Sequence, residues 1–276
     1  MQHYFIREQI ENLIKRINDK PQVIKMKRKG YSKTDMLHYD NPTILDIGCG
    51  IGCDTFELAK ILESNNKPGK LIGIDNAEDL ILYARTSLSS MKLPEYLDIS
   101  FLVGSVEEMN FEKETFDIIF ISCTLAHIQS PLCDIFSKIH NVLKVNGRLV
   151  IIEPDTSCSK YFIPNTVLFE NISKLHNLIN RPSQGGDLSW MLPRFGFAIL
   201  EVDTFSVVSR EFASNDPNWS KLKSIAKIGL ENNIFQTEEE TSEFVELFIK
   251  ESLAGNIMYF TASFIFKVVK KRDDLK

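Results

Sequence analysis

Ile44-Leu45-Asp46-Ile47-Gly48-Cys49-Gly50-Ile51-Gly52 is the stretch that decides the fold of this 276-residue chain. A short apolar run ends in three glycines at alternate positions and passes directly into Cys53–Leu62, where apolar residues recur at helical spacing. Glycines at such a junction let the backbone turn sharply and come close to a ligand, with the first N–H groups of the helix facing it. An ordinary strand-to-helix turn has no use for three of them, because each one weakens the local structure.

The same alternation extends on both sides. Apolar runs at Thr43–Ile47, Lys70–Ile74, Ile99–Val103, Asp117–Ser122 and Arg148–Glu153 are separated by helical segments at Ala77–Leu88 and Leu132–Leu143, besides Cys53–Leu62. Continuous apolar strands alternating with helices predict an α/β fold with a sheet covered on both faces. The expected architecture is doubly wound: a mostly parallel seven-stranded sheet with an antiparallel last strand, a helical N-terminal segment and a helical cap. Asn146-Gly147 reads as the turn into the fifth strand.

Beyond Pro154 the order changes. Helices are expected at Asn165–Ile179 and at Asp187–Phe195, the latter closed by Gly196. A strand at Phe197–Val208, helices at about Pro217–Gly229 and Glu238–Leu253, and a strand at Met258–Val269 follow. Upstream, Phe5, Ile6, Ile10, Leu13, Ile14 and Ile17 give residues 2–18 a helical period, and the polar stretch from there to Asn41-Pro42 reads as a linker.

Composition narrows the partners. Hydrophobic content is 43%, net charge −5 and pI about 5.7, so the chain can bury a sizeable core and is a poor electrostatic match for nucleic acid. Residues 1–40 nevertheless carry a balance of +4, concentrated in Lys25, Lys27, Arg28 and Lys29. That run is either a solvated turn or a segment that closes over an anionic group, with Tyr31 and Tyr39 completing a lid. Five cysteines show no C-x-x-C pair and no histidine spacing for a metal, which predicts free thiols in a reducing compartment and no metal site. No apolar run approaches the ~18 residues of a membrane span, and the start is polar, so a cytoplasmic location is the expectation.

The glycine segment gains meaning from Asp75, which closes Leu71-Ile72-Gly73-Ile74 and lies 29 positions after Asp46. An acidic residue at the end of the second strand takes the two ribose hydroxyls of a nucleotide. It can also cap the helix that begins near Ala77-Glu78, and the two uses are compatible. Dinucleotide sites carry G-x-G-x-x-G, whereas Gly48 to Gly52 spell G-x-G-x-G with Asp46 two residues ahead of the first glycine. A carboxylate there repels a pyrophosphate but suits the ammonium and sulfonium of S-adenosylmethionine. An NAD-dependent oxidoreductase and a non-catalytic methyltransferase-like binding module stand as the alternatives.

With these parts in place, the sequence resembles the class I S-adenosylmethionine-dependent methyltransferases, and within them the small-molecule branch of the ubiquinone/menaquinone-biosynthesis type (type 11). Ile44–Gly52 matches that family's first motif and Leu71–Ala77 its second. Phe101–Glu108 resembles the third-strand motif, Phe116–Ile128 the fourth-strand motif ending in L-x-H, and Leu143–Pro154 the loop and fifth strand. Similarity continues through Gly185–Gly196 and into Tyr259–Lys267, covering roughly residues 43–270. The resemblance implies a Rossmann-like cofactor domain over 43–276, with helical insertions near 157–190 and 215–257, preceded by an N-terminal helix and basic lid over 1–42.

It also implies roles. Asp46 would lie near the methionine ammonium, with Gly48, Cys49 and Gly50 lining the cofactor by backbone. Asp75 would hold the ribose, Asn76, Ser105 and Val106 would surround the adenine, and Ser122 would lie beside the methionine moiety. The family usually has Asp at the position of Ser105, and a hydroxyl is the weaker partner for an adenine amino group.

The acceptor is less legible, because methyl transfer from a sulfonium is an in-line displacement that needs no fixed triad. Ser122-Cys123-Thr124-Leu125 lacks the N/D-P-P-Y/F sequence of enzymes that methylate exocyclic amines, which leaves a small-molecule O, N or C nucleophile. His127, just after the fourth strand, is the candidate general base, or else a structural histidine bonded to backbone. Tyr161, Phe162, Pro164 and Phe169 stand where a substrate pocket should open, and Phe212, Trp219, Phe235, Phe244 and Phe248 either roof it or pack as core.

Overall fold

A computed structural model describes residues 21–179, 185–209 and 217–271. The helical stretch expected at 2–18, Phe212 and the side chain of Trp219 lie outside the described residues. Seven strands form one sheet, in the order β3-β2-β1-β4-β5-β7-β6. They are β1 (Thr43–Ile47), β2 (Gly69–Asp75), β3 (Leu97–Val103), β4 (Phe116–Ser122), β5 (Leu143–Phe162), β6 (Phe197–Ser209) and β7 (Met258–Lys270). Pairs β1–β2, β1–β4, β2–β3 and β4–β5 are parallel, and the last strands run antiparallel. The mostly parallel α/β sheet read from the sequence is the one observed.

The chain divides into two compact units. The first holds residues to Glu153, Gly185–Thr204 and the chain from Phe264 on; the second holds Pro154–Gln184 and Phe205–Ser263.

In the first unit β1 and β4 are adjacent and almost wholly buried, which is why each reads as an unbroken apolar run. The chain leaves β1 toward β2 and β3 and then returns to β4 on the other side, so the strand order reverses between β1 and β4. Helices α2 (Cys53–Ser64), α3 (Glu78–Ser89) and α4 (Leu132–Val142) connect these strands. On α4, Ile135, Phe136, Ile139 and Val142 recur on one face and are buried in the main core with Phe116, Ile119 and Phe197. Each side chain removed from water this fully contributes about 1.5–3 kcal/mol.

Two local expectations are corrected. The polar stretch before Pro42 is not a linker: Pro21–Ser32 forms helix α1, followed by a turn of 3-10 helix at Met36–His38. Polar composition conceals it, because only Met26, Gly30 and Tyr31 are buried in α1. Gly30 lets the helix backbone come close to the sheet, where a Cβ would run into Ile152, and Tyr31 packs on Phe120 with ring centroids 5.5 Å apart. The end of α1 and the turn after it are fastened by charges. Lys33 pairs with Asp203 at 2.5 Å and Glu201 at 2.7 Å, and Asp35 pairs with Arg148 and Lys267, each at 3.0 Å.

The second correction concerns Asn146-Gly147, which is a bulge inside β5 and not the turn leading to it. Phe116 pairs Leu143 and Ile118 pairs Arg148, so extra residues are accommodated on β5 and Asn146 takes φ 63°. The helix expected at Asp187–Phe195 is divided into a short α6 (Leu188–Met191) and a 3-10 turn (Leu192–Phe195), with Pro193 near the start of the turn and Gly196 at φ 82° closing it.

The second unit is helical. In it α5 (Thr166–Ile179), α7 (Pro217–Glu231) and α8 (Glu238–Leu253) share a cluster of Leu168, Ile172, Leu175, Ala226, Phe244 and Phe248. Phe235, Phe244 and Phe248 are buried in that cluster, so they serve as packing. Tyr161, Phe162, Pro164 and Phe169 do come together, lining an open pocket of about 490 Å³ with Lys160 and Ile163.

Candidate functional site

The cluster of polar groups in the first unit lies at the carboxyl ends of β1 and β4, where the strand order reverses. That is the place at which open α/β sheets leave a crevice for a ligand. Three glycines carry the chain from β1 into α2, all left-handed: Gly48 at φ 71°, Gly50 at 53° and Gly52 at 83°. Their environments differ. A Cβ on Gly48 would strike the Thr124 side chain, whereas one on Gly50 would meet only Leu80 Cδ1 at 3.9 Å. Gly48 is thus a close approach within the protein, and Gly50 presents open backbone.

Asp75 braces that open backbone. Its Oδ2 accepts from Gly50 N–H at 2.9 Å and its Oδ1 from Ala77 N–H at 2.9 Å, so one carboxylate joins the glycine loop to the start of α3. Asp75 does not cap α3, whose N-cap is Ala77 with no side-chain cap bond, but its carboxylate still has lone pairs for another donor. Asn76 is exposed beside it, Cys49 and Val106 are buried, and Ser105 is half-buried.

Asp46, at the inner end of the same loop, is 2% exposed and accepts a hydrogen bond from Thr55 Oγ1 at 2.6 Å. Burial, with the charge of Asp54 next, holds its carboxyl above the usual carboxylate range. Asp54 is in turn gripped from α1. Lys27 Nζ lies 2.5 Å from Oδ2 and Tyr31 O–H donates to Oδ1 at 2.5 Å. Burial works against the charge on Lys27, but Asp54 more than offsets it and the ammonium is held above its ordinary pKa. From sequence, Lys27 and Tyr31 figure only in the basic run and the lid it suggests, and neither Asp54 nor Thr55 is marked. Lys27 is masked by the basic run around it, and only the fold brings it to α2.

Across the gap, Ser122 ends β4 with its Oγ buried and without a hydrogen-bond partner among the described residues. Cys123 follows at φ 54°, exposed, its thiol pushed up to about 11 by the crowding around it and by Glu153. His127 ends the 3-10 turn Leu125–His127 and is exposed.

That turn rests on Glu153, another residue the sequence did not mark. Its buried carboxylate accepts from the N–H groups of Thr124 (3.2 Å), Leu125 (3.3 Å) and Ala126 (3.2 Å). Burial outweighs those three bonds and pushes its pKa up from 4.5 to about 7. A carboxyl that holds its proton longer when folded favours the native state below pH 4.5 and loses that contribution as pH rises toward 7. Glu153→Gln should therefore gain on the natural chain across this window, by up to about 3 kcal/mol. Thermal unfolding of both from pH 4.5 to 8 checks this; a difference independent of pH would contradict it.

Among the described residues, no cluster of His, Cys, Asp and Glu is placed to hold a metal ion, and no helix is long and apolar enough to cross a membrane.

A glycine loop with a buried acidic residue just before it and a second at the tip of β2, set at the switch of a doubly wound sheet, is the arrangement of a class of nucleotide-cofactor folds. The methyltransferase domain family matches residues 38–196, more than half of the chain, and the chain belongs to that family. It is 37% identical over 111 residues to the demethylmenaquinone methyltransferase of Lactococcus lactis, a stretch that is 40% of this chain and 41% of that relative. It is 30% identical over 110 residues to the sterol 24-C-methyltransferase ERG6 of Saccharomyces cerevisiae, 40% of this chain and 27% of that protein. The matches thus span less than half the length of these two curated relatives. Among solved structures, the cyclopropane synthase MmaA2 of Mycobacterium tuberculosis aligns with a TM-score of 0.53 at 16% identity, over 90% of this chain and 84% of that one. That likeness is one of fold.

Proposed function

We propose that the chain is an S-adenosylmethionine-dependent methyltransferase acting on an O, N or C nucleophile of a small molecule. The observation that carries this reading is the open backbone at Gly50, braced by the Asp75 carboxylate, in the loop that follows the buried Asp46. The groups present fit the cofactor. Asp75 keeps acceptor capacity for ribose hydroxyls, and Asp46 offers negative charge to an ammonium or sulfonium. Ser122 Oγ is a buried polar atom awaiting a partner.

In this reading Gly48, Cys49 and Gly50 line the cofactor by backbone, and Asn76, Ser105 and Val106 border the adenine. When bound, S-adenosylmethionine supplies an electrophilic methyl group. The protein's part is to hold the donor rigidly and admit an acceptor in line with it. His127, exposed on the turn after β4, is the candidate to take a proton from that acceptor. The relatives named for demethylmenaquinone and sterol methylation support an apolar small molecule as the acceptor class.

Calorimetric titration with S-adenosylhomocysteine, followed by transfer of labelled methyl to phenols, quinones and amines, tests the proposal. Binding and transfer are expected. Failure to bind overturns the reading, and binding without transfer to any acceptor favours a binding module.

A further inference from the structure

The turn that ends in His127 is folded around an anion. Cys123 takes φ 54°, and Thr124 returns to the right-handed region at φ −117°. A left-handed residue followed by a right-handed one directs successive N–H groups toward one point, a concavity that suits negative charge. The N–H groups of Thr124 (3.2 Å), Leu125 (3.3 Å) and Ala126 (3.2 Å) converge there on the carboxylate of Glu153, which is 1% exposed. An ionised carboxyl is acceptor-only and matches three donors, whereas a protonated one brings a donor of its own into the same place. Burial nevertheless outweighs the three bonds and disfavours the charge, so an amide would serve the fold better than the acid does. A buried acid that lowers stability at neutral pH points to a use outside folding.

Both ends of the turn supply that use. At its start, the Thr124 hydroxyl donates to Ser122 O at 3.1 Å and lies 3.3 Å from Ile47 O, and its side chain fills the space that a Cβ on Gly48 would need. At its end, His127 N–H donates to Thr124 O at 2.9 Å and closes the turn. One carboxylate thus fixes the backbone between the glycine loop and the candidate base.

Titratable groups on the neighbouring elements are engaged elsewhere or keep their protons. Cys123, just after β4, feels the charge of Glu153, and its thiol is pushed up to about 11. Further along β5, Asp155 accepts from Ser157 N–H at 2.9 Å. Lys27 of α1 is held by Asp54, and on β7 Lys267 pairs with Asp35 and Glu201, and Lys270 with Glu114. His127 itself is exposed.

Resting on the reading that the cradle takes S-adenosylmethionine, we propose that Glu153 is a positioning residue of the site: as the anion it locks the Thr124–Ala126 backbone, and with it Thr124 against the glycine loop and His127 at the end of the turn. The cofactor site is then complete only with Glu153 ionised, and ligand affinity follows that proton.

The experiment measures S-adenosylhomocysteine binding between about pH 5.5 and 8.5 for the natural full-length chain and for Glu153→Gln. Groups common to both chains, Asp46 and His127 among them, drop out of the ratio of affinities. The natural carboxyl titrates at about 7, so at the acid end it is protonated and neutral like the amide, and the two chains should agree within about twofold. At the alkaline end Glu153→Gln should bind about tenfold more weakly. A ratio that stays constant across pH overturns the proposal, because a merely structural role moves both ends alike. In the natural chain the Leu125 and Ala126 amide resonances should shift together with a midpoint near pH 7. Amides that stay still across that range overturn the proposal even where Glu153→Gln does not fold. A natural chain that binds no ligand at any pH fails the underlying cofactor reading instead, and the proposal with it.

Discussion

Asp75→Ala should lower the affinity for S-adenosylhomocysteine by about 100-fold or more while leaving a folded protein. Two effects combine. The substitution removes the acceptors proposed for the ribose hydroxyls, each such charge-assisted bond being worth about 1.5–3 kcal/mol. It also releases the N–H groups of Gly50 and Ala77, which the carboxylate now holds at 2.9 Å each, so the cradle loses its brace as well as its ligand contact. Asp75 is half-buried, and water can satisfy the freed donors, so the penalty falls mainly on binding. Titration calorimetry beside a thermal melt separates the two quantities. An affinity within threefold of the natural chain would remove Asp75 from the cofactor site.

Gly48→Ala should have the opposite profile, a loss of stability first. At φ 71° a side chain costs about 1–2 kcal/mol. The new methyl would also drive into Thr124, whose own Cβ lies 2.9 Å away, and overpacking of this kind costs about 1–3 kcal/mol more. Thr124 cannot move freely, because its hydroxyl donates to Ser122 O at 3.1 Å and its N–H to Glu153 at 3.2 Å. A total of about 3 kcal/mol corresponds to a fall of roughly 10 °C in the melting temperature. Gly50→Ala is the matched control: its Cβ meets nothing closer than 3.9 Å, so only the backbone cost applies and the damage should appear in ligand binding. Equal melting temperatures for the two variants would refute the distinction between a packed glycine and an open one.

The contrast between those glycines shows how far the sequence can be read. Three glycines in five positions announce a close approach, and the pattern is local, so it is legible from Gly48 to Gly52 without a fold. It does not say which glycine faces protein and which faces open space, since Thr124 stands 76 positions later in the chain. Lys27 is a sharper case. In sequence it is one of four basic residues within five, and nothing local separates it from Lys25 or Lys29. Lys29 reaches Asp203, whereas Lys27 is buried against Asp54. Helix geometry turns adjacent residues to different faces, and only docking of α1 on the sheet chooses the face.

Periodicity alone was sufficient for the strands β1 to β4 and the helices between them, and the local glycine motif pointed to Asp46 and Asp75. Burial of a parallel sheet on both faces forces unbroken apolar runs, and helices laid on it must repeat apolar residues with their own period. Helix α1, the bulge at Asn146-Gly147, the division of the chain into two units and the anchoring of the Leu125–His127 turn on Glu153 were decided by tertiary structure. Each depends on a partner distant in the chain: α1 on Ile152 and Phe120, the bulge on the register of β4, the turn on a carboxylate buried midway along β5. Such choices are settled by which desolvated polar group finds a partner and which small residue permits contact, and those are properties of the packed chain.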